Sequence, residues 1–177
     1  MPGGAARNYL SSSLSVLLHL RFDHNNSNNI QAEIMVCAGA EPGSNSRKMK
    51  VELLPVADTC GRLVVTEESP EWEMERMPFR RVMGDMVVLP TGDVLIMNGA
   101  GKGTAGWCMG RELVLRPVLY RKASREFEVM NQTKIPRLYH STAHLFSNRR
   151  VVVRGSNQNI RFDGVLGGDN VSYKDGR

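Results

Sequence analysis

The 177-residue sequence predicts an all-β fold of repeated antiparallel units, each with about four strands, and three observations predict it. Helical periodicity is nearly absent along the chain. Short runs rich in Val, Ile, Leu and Met recur between clusters of Gly, Pro, Asn and Asp, the pattern of strands separated by turns. One layout, a hairpin closed by a small-residue exit, returns along the chain at a near-constant interval.

The first repeat runs from "SLSVLLHLRF" (13–22) to "AEIMVCAGAEPG" (32–43), two strand-like runs around the polar insertion "DHNNSNN". "RLVVT" (62–66) and "WEMERM" (72–77) supply the two further strands the unit needs. The second repeat is the clearest, "GDMVVLPTGDVLIMNGAG" (84–101), in which Met86 to Leu89 and Val94 to Met97 read as strands joined by the turn Pro90, Thr91, Gly92, Asp93. "PVLYR" (117–121) and "EFEVM" (126–130) complete it, and "HSTAHLFSNRRVVVRGSN" (140–157) opens a third. The exits at Gly39, Gly99 and Gly155 are about 60 and 56 residues apart, close to the roughly 50-residue blade of a kelch-type β-propeller. Glycine suits an exit whose backbone angles a side chain would hinder. Arg154, directly before Gly155, is out of character there.

About three four-stranded blades therefore fit residues 1–157, and residues 158–177 form a divergent tail that loses the pattern. A propeller ring normally closes with four to eight blades, so the expected fold is an incomplete propeller. Its open edge strands are expected to self-associate unless something covers them.

Composition narrows the function classes. An apolar content of 41% with 23% charged residues describes a globular rather than a disordered chain. The net charge is +5, but Lys and Arg are scattered apart from "SRKMK" (46–50), which argues against nucleic acid as a partner. No apolar run approaches the roughly 18 residues of a membrane span, and the N-terminus lacks the layout of a signal peptide. Against a cytosolic location stand three glycosylation sequons, at Asn25, Asn131 and Asn170. Cys37, Cys60 and Cys108 make an odd set that fits neither a full disulfide framework nor a zinc cluster. Cys37 and Cys60 read equally as a disulfide formed in an oxidising compartment or as small buried thiols in strands.

The chemistry-bearing stretch is "KIPRLYHSTAHLF" (134–146), where Tyr139 stands directly before His140. Successive side chains of a strand point to opposite faces, so neighbours serve one site only where the backbone bends on entering the strand. In a strand His144 would share the face of His140. "GAGKGTAG" (99–106) resembles a phosphate loop, but it lacks the GxxxxGK[ST] spacing and a following helix, which favours a Gly-rich connection between blades. Asp85 and Asp93 read as strand-entry and turn aspartates rather than as an acid–base pair. Trp107 reads as core or rim packing.

Taken together, "RNY" (7–9), "VCAGA" (36–40), "DTCGRL" (58–63), "RVMGDMVVLPTGDVLIMNGAGKGTAGW" (81–107), "PVLYR" (117–121) and "IPRLYHSTAHL" (135–145) resemble the plant glyoxal oxidase-like aldehyde oxidases. These are copper radical oxidases related to galactose oxidase. The resemblance implies a seven-bladed kelch-type propeller and a secreted enzyme that oxidises aldehydes of the glyoxal or methylglyoxal type with dioxygen. It implies that Tyr139 is the axial copper ligand and a catalytic base, and that His140 is an equatorial ligand. In the family the two-electron step is shared between copper and a radical on a Cys-linked tyrosine. That cysteine and tyrosine come from blades before this segment, and another histidine ligand comes from a later domain. The expectation is therefore that these 177 residues alone are inactive. Leu10 stands where the family prefers proline, and "SNRR" (147–150) replaces a tighter turn. The rival expectation, from a different class, is a non-catalytic kelch-like interaction module.

Overall fold

The computed structural model describes residues 12–23, 26–40, 44 and 53–156. Asn25, Asn170, Leu10, the "SRKMK" cluster and the tail 158–177 lie outside the described residues. Fourteen β-strands occur among those described.

The first unit contains β1 (Leu14–Leu17), β2 (Arg21–Asp23), β3 (Asn26–Gln31), β4 (Glu33–Cys37), β5 (Thr59–Val64) and β6 (Glu73–Arg76). β1, β4, β5 and β6 form a four-stranded antiparallel sheet in that order, while β2 and β3 pair as a separate hairpin around the polar insertion. Strand β5 begins three residues earlier than the apolar run suggests, because Cys60 and Gly61 are paired on both sides, with Cys37 and Val36 of β4 and with Glu75 and Met74 of β6.

The second unit repeats the plan. β7 (Asp85–Val88), β8 (Val94–Met97), β11 (Val118–Arg121) and β12 (Glu126–Val129) form the second four-stranded sheet. The Gly-rich stretch after β8 is not a plain connection. It folds as a hairpin of β9 (Ala100–Gly103) and β10 (Gly110–Leu113), which its glycines disguise because glycine is depleted in strands. Lys102 lies within β9 and forms an ion pair with Glu112 across the hairpin at 2.5 Å, so the phosphate-loop likeness has no loop to stand on.

Of the expected three four-stranded blades, the described residues show two four-stranded sheets and part of a third unit. Among the described residues it is the hairpin of β13 (Thr142–Leu145) and β14 (Val151–Arg154) alone. The first strands of the three units are neighbours, with β7 in contact with both β1 and β13.

Two cores hold these units. Between the four-stranded sheets pack Leu14, Met35, Cys37 and Cys60 of the first and Val94, Ile96, Val118 and Tyr120 of the second. β4 alternates buried and half-buried residues, as a strand with one face on a core should. A second cluster gathers Ala40, Val56, Val82, Met83, Ala100 and Leu138 where first strands begin and second strands end.

Each unit carries the same backbone signature. Ser12, Met83 and His140 each lie two residues before a first strand and have φ of 48°, 55° and 65°. Ala38, Asn98 and Gly155 each directly follow a second strand and have φ of 62°, 62° and 88°. Gly155 is thus the counterpart of Asn98 rather than of Gly99. The apparent anomaly of Arg154 disappears, since it is the last residue of β14 and pairs with Thr142.

A charged cluster joins the sheets. Arg62 of β5, almost fully buried, donates to Glu33 at 2.5 Å, Glu73 at 2.6 Å and Glu75 at 3.1 Å. From the other sheet Lys122 pairs with Glu33 at 3.2 Å, and the Tyr120 hydroxyl donates to Glu75 at 3.1 Å. Among the described residues no helix is long and apolar enough to cross a membrane.

Candidate metal centre

Tyr139 and His140 sit in a turn that the Ser141 amide closes by donating to the Leu138 carbonyl at 2.9 Å. Leu138 is fully buried in the second core cluster and fixes the near end of the turn, while β13 begins just beyond it at Thr142. The positive φ of His140 breaks the alternation of a strand. Its imidazole lies over the Tyr139 ring, with centroids 3.9 Å apart and planes at 25°. The bend brings two neighbouring side chains to one place.

Tyr139 is half-buried and His140 exposed, an asymmetry that leaves the imidazole open to a ligand. Trp107, on the connection between β9 and β10, meets the Tyr139 ring edge-on at 6.1 Å and 81° while remaining 43% exposed. Sequence reading placed Trp107 only in the rim or core. No spacing rule could join it to a tyrosine in another unit. His144 takes no part beside His140, because His140 is in the turn and not in the strand. His144 Nε2 instead lies 2.9 Å from Thr142 Oγ1 on the exposed face of β13.

The turn is fastened to the second unit. Asp85 Oδ2 accepts from Ser141 Oγ at 2.9 Å and from Asn98 Nδ2 at 2.8 Å. The Gly99 amide donates to the Arg137 carbonyl at 2.8 Å. Beneath them Arg81, wholly buried, donates to the carbonyls of Asn98 and Arg116. Burial pushes its guanidinium down to about 10, which still leaves it charged at neutral pH. Asp85 thus ties two units together and is no acid–base partner of Asp93, which lies at the far end of the hairpin and pairs with Arg121 at 3.1 Å.

An imidazole nitrogen with a phenol oxygen suits copper among the first-row metals, so the donor chemistry of the pair fits that metal. Among the described residues no three or more His, Cys, Asp or Glu side chains gather as a metal cluster. Cys37 and Cys60 face each other across β4 and β5 and are joined by a disulfide. Cys108 is exposed. Asn131 is exposed just beyond β12.

The fold has a counterpart among solved structures, a fungal alcohol oxidase of the AA5 family determined in complex with copper. The likeness has a TM-score of 0.59 at 17% identity and covers 80% of this chain and 26% of that one, which speaks for the fold. In sequence the chain is 44% identical over 157 residues to aldehyde oxidase GLOX of Vitis pseudoreticulata, covering 87% of this chain and 29% of that protein. It is 39% identical over 163 residues to aldehyde oxidase GLOX1 of Arabidopsis thaliana, covering 90% of this chain and 26% of that protein. The chain therefore spans less than a third of each relative. The family described as Glyoxal oxidase N-terminus matches residues 1–166, and the chain belongs to it.

Proposed function

We propose that this chain is part of a secreted, copper-dependent aldehyde oxidase and supplies two of its metal donors, Tyr139 and His140. The observation that carries this reading is the left-handed turn, which stacks an imidazole on a phenol in a chain of this family. The reaction is RCHO + H2O + O2 → RCOOH + H2O2, with small aldehydes of the glyoxal or methylglyoxal type as substrates. Copper, when bound, supplies the one-electron chemistry that dioxygen requires. His140 would hold it through an imidazole nitrogen. Tyr139, as the phenolate that would face a bound metal, would take the proton of the hydrated aldehyde's hydroxyl and become the neutral phenol. Trp107 packs edge-on against the Tyr139 ring and helps to hold it in place.

The units belong to a kelch-type seven-bladed propeller whose first strands, β1, β7 and β13, stand side by side near the axis. Secretion accords with the Cys37–Cys60 disulfide and with the sequons at Asn25, Asn131 and Asn170. Two donors do not make a complete copper site, so the 177 residues alone give no turnover.

The test is peroxide release from methylglyoxal, measured on the copper-loaded 177-residue chain and on the intact protein that carries it. The expected result is turnover by the intact protein, abolished by His140→Ala, and none by the chain alone. Full activity of the intact His140→Ala variant would overturn the assignment, and turnover by the chain alone would overturn its incompetence. A stable complex with another chain, formed without copper binding, would instead favour the non-catalytic interaction module.

A further inference from the structure

The Tyr139–His140 turn rests on polar contacts to which nothing above assigns a role in the chemistry. We propose that Asp85, acting through the Ser141 hydroxyl, is the positioning residue that holds His140 in its ligand geometry. One carboxylate oxygen receives two hydrogen bonds from different units, Asn98 Nδ2 at 2.8 Å and Ser141 Oγ at 2.9 Å. The Asn98 end is rigid, because Asn98 is buried and its carbonyl accepts from the buried guanidinium of Arg81. The Ser141 end is adjacent in sequence to His140. Any movement of the Ser141 side chain towards Asp85 therefore drags the turn that carries the imidazole.

The other fastenings act on the backbone at the two ends of the turn. Leu138 buries one end of the turn, and Gly155 passes so close that a Cβ there would lie 2.5 Å from the His140 carbonyl oxygen. These contacts, with the Gly99 amide on the Arg137 carbonyl, hold the backbone on either side of His140. The Ser141–Asp85 bond is the side-chain tie next to His140, and through it the direction of the exposed imidazole is set. Losing a group hydrogen-bonded to a metal ligand typically weakens metal binding by about 10- to 100-fold, and a tie one residue from the ligand is expected at the lower end of that range.

The inference deepens the copper reading, and its test separates the two. Ser141→Ala, Asp85→Ala, Asp85→Asn and the double alanine variant are made in the intact protein. Copper(II) affinity is measured by competition with a chromophoric chelator, and the His140 ring-proton shifts by NMR without metal. The stacked Tyr139 ring shifts His140 upfield, and the signals lost in His140→Ala assign its resonances. Both single alanine variants should lower copper affinity at least about 10-fold, with no further loss in the double variant, and should move the His140 resonances towards solvent values. Asp85→Asn, whose amide oxygen can accept both bonds, should retain most of the affinity and the shift. Unchanged ring shifts in Ser141→Ala, or additive losses in the double variant, would overturn the tether. If the unaltered protein binds no copper, the metal reading falls and the ring shifts still decide the tether. Ser141→Ala removes one partly exposed hydroxyl, so the test stands even where Asp85→Ala fails to fold.

Discussion

Gly155→Ala measures how tightly the end of β14 is packed on the His140 turn. At φ of 88° an alanine sits in the left-handed region, which costs about 1–2 kcal/mol for its Cβ alone. The added atom would also lie 2.5 Å from the His140 carbonyl oxygen, 2.9 Å from Ser141 Cα and 3.2 Å from the His140 carbonyl carbon. All three are backbone atoms, so relief requires the turn itself to move, at a further cost of about 1–3 kcal/mol. Gly92 provides the control. Its φ is 87°, but the nearest atom to an added Cβ is His19 Nδ1, at an ordinary contact distance of 3.7 Å. Gly92→Ala should therefore pay the backbone cost alone. Urea unfolding of both variants should place Gly155→Ala about 1–3 kcal/mol below Gly92→Ala, and only Gly155→Ala should weaken copper binding. Equal stability of the two variants would refute the close packing of the end of β14 against the turn that carries His140.

Other perturbations probe the scaffold. Arg62→Ala leaves Glu33 and Glu75 partly uncompensated between the sheets and should cost about 3–5 kcal/mol, read as a lower urea midpoint. Burial would raise the Glu33 carboxyl, but the hydrogen bonds and charges of Lys122 and Arg62 outweigh it and hold the group below its ordinary value of 4.5. Its contribution to stability is therefore complete above the unfolded value and is lost as pH falls through 4.5 towards the lower folded one. Urea titrations between pH 7 and pH 3 should show a shallower decline in Glu33→Gln than in the unaltered protein. Protein secreted from a eukaryotic host should carry a glycan at the exposed Asn131, seen as a mass shift that enzymatic deglycosylation removes. An unmodified Asn131 in protein whose Cys37–Cys60 bond has formed would refute glycosylation at that site while leaving the secretory route intact.

Most of the fold was legible because strand runs and turn residues are local signals. The hairpin of Asp85–Val88 and Val94–Met97 follows directly from alternating apolar runs around Pro90 to Asp93. The β9–β10 hairpin was hidden because its first strand, Ala100–Gly103, contains two glycines and one alanine among its four residues and has no β-branched residue. Cys60 and Gly61 were missed as strand residues for a different reason. Their place is set by partners in β4 and β6, which local propensity does not register. The Tyr139–His140 pair was legible as a question about a bend, whereas its surroundings were not. Trp107 meets Tyr139, and Asp85 meets Ser141 across 56 positions of chain, distances at which only the folded topology decides who meets whom.

A positive φ at a histidine invites the view that strain marks a functional site. The other two units argue against so direct a step. Ser12 and Met83 adopt the same left-handed conformation at the same place, two residues before a first strand, so the bend belongs to the fold and does not depend on any chemistry placed on it. What separates the third unit from the second is what the bend carries. Val82 and Met83 point into the second core cluster, 0% and 5% exposed, where Leu138 of the next unit packs on them. At the same step of the third unit the chain places a half-buried phenol and an exposed imidazole. The scaffold supplies a bend in every unit, and the sequence spends one of them on side chains able to hold a metal. What marks a site is therefore donor chemistry and accessibility on a repeated bend, with Ser141 and Asp85 to orient it, rather than the strain of the bend itself.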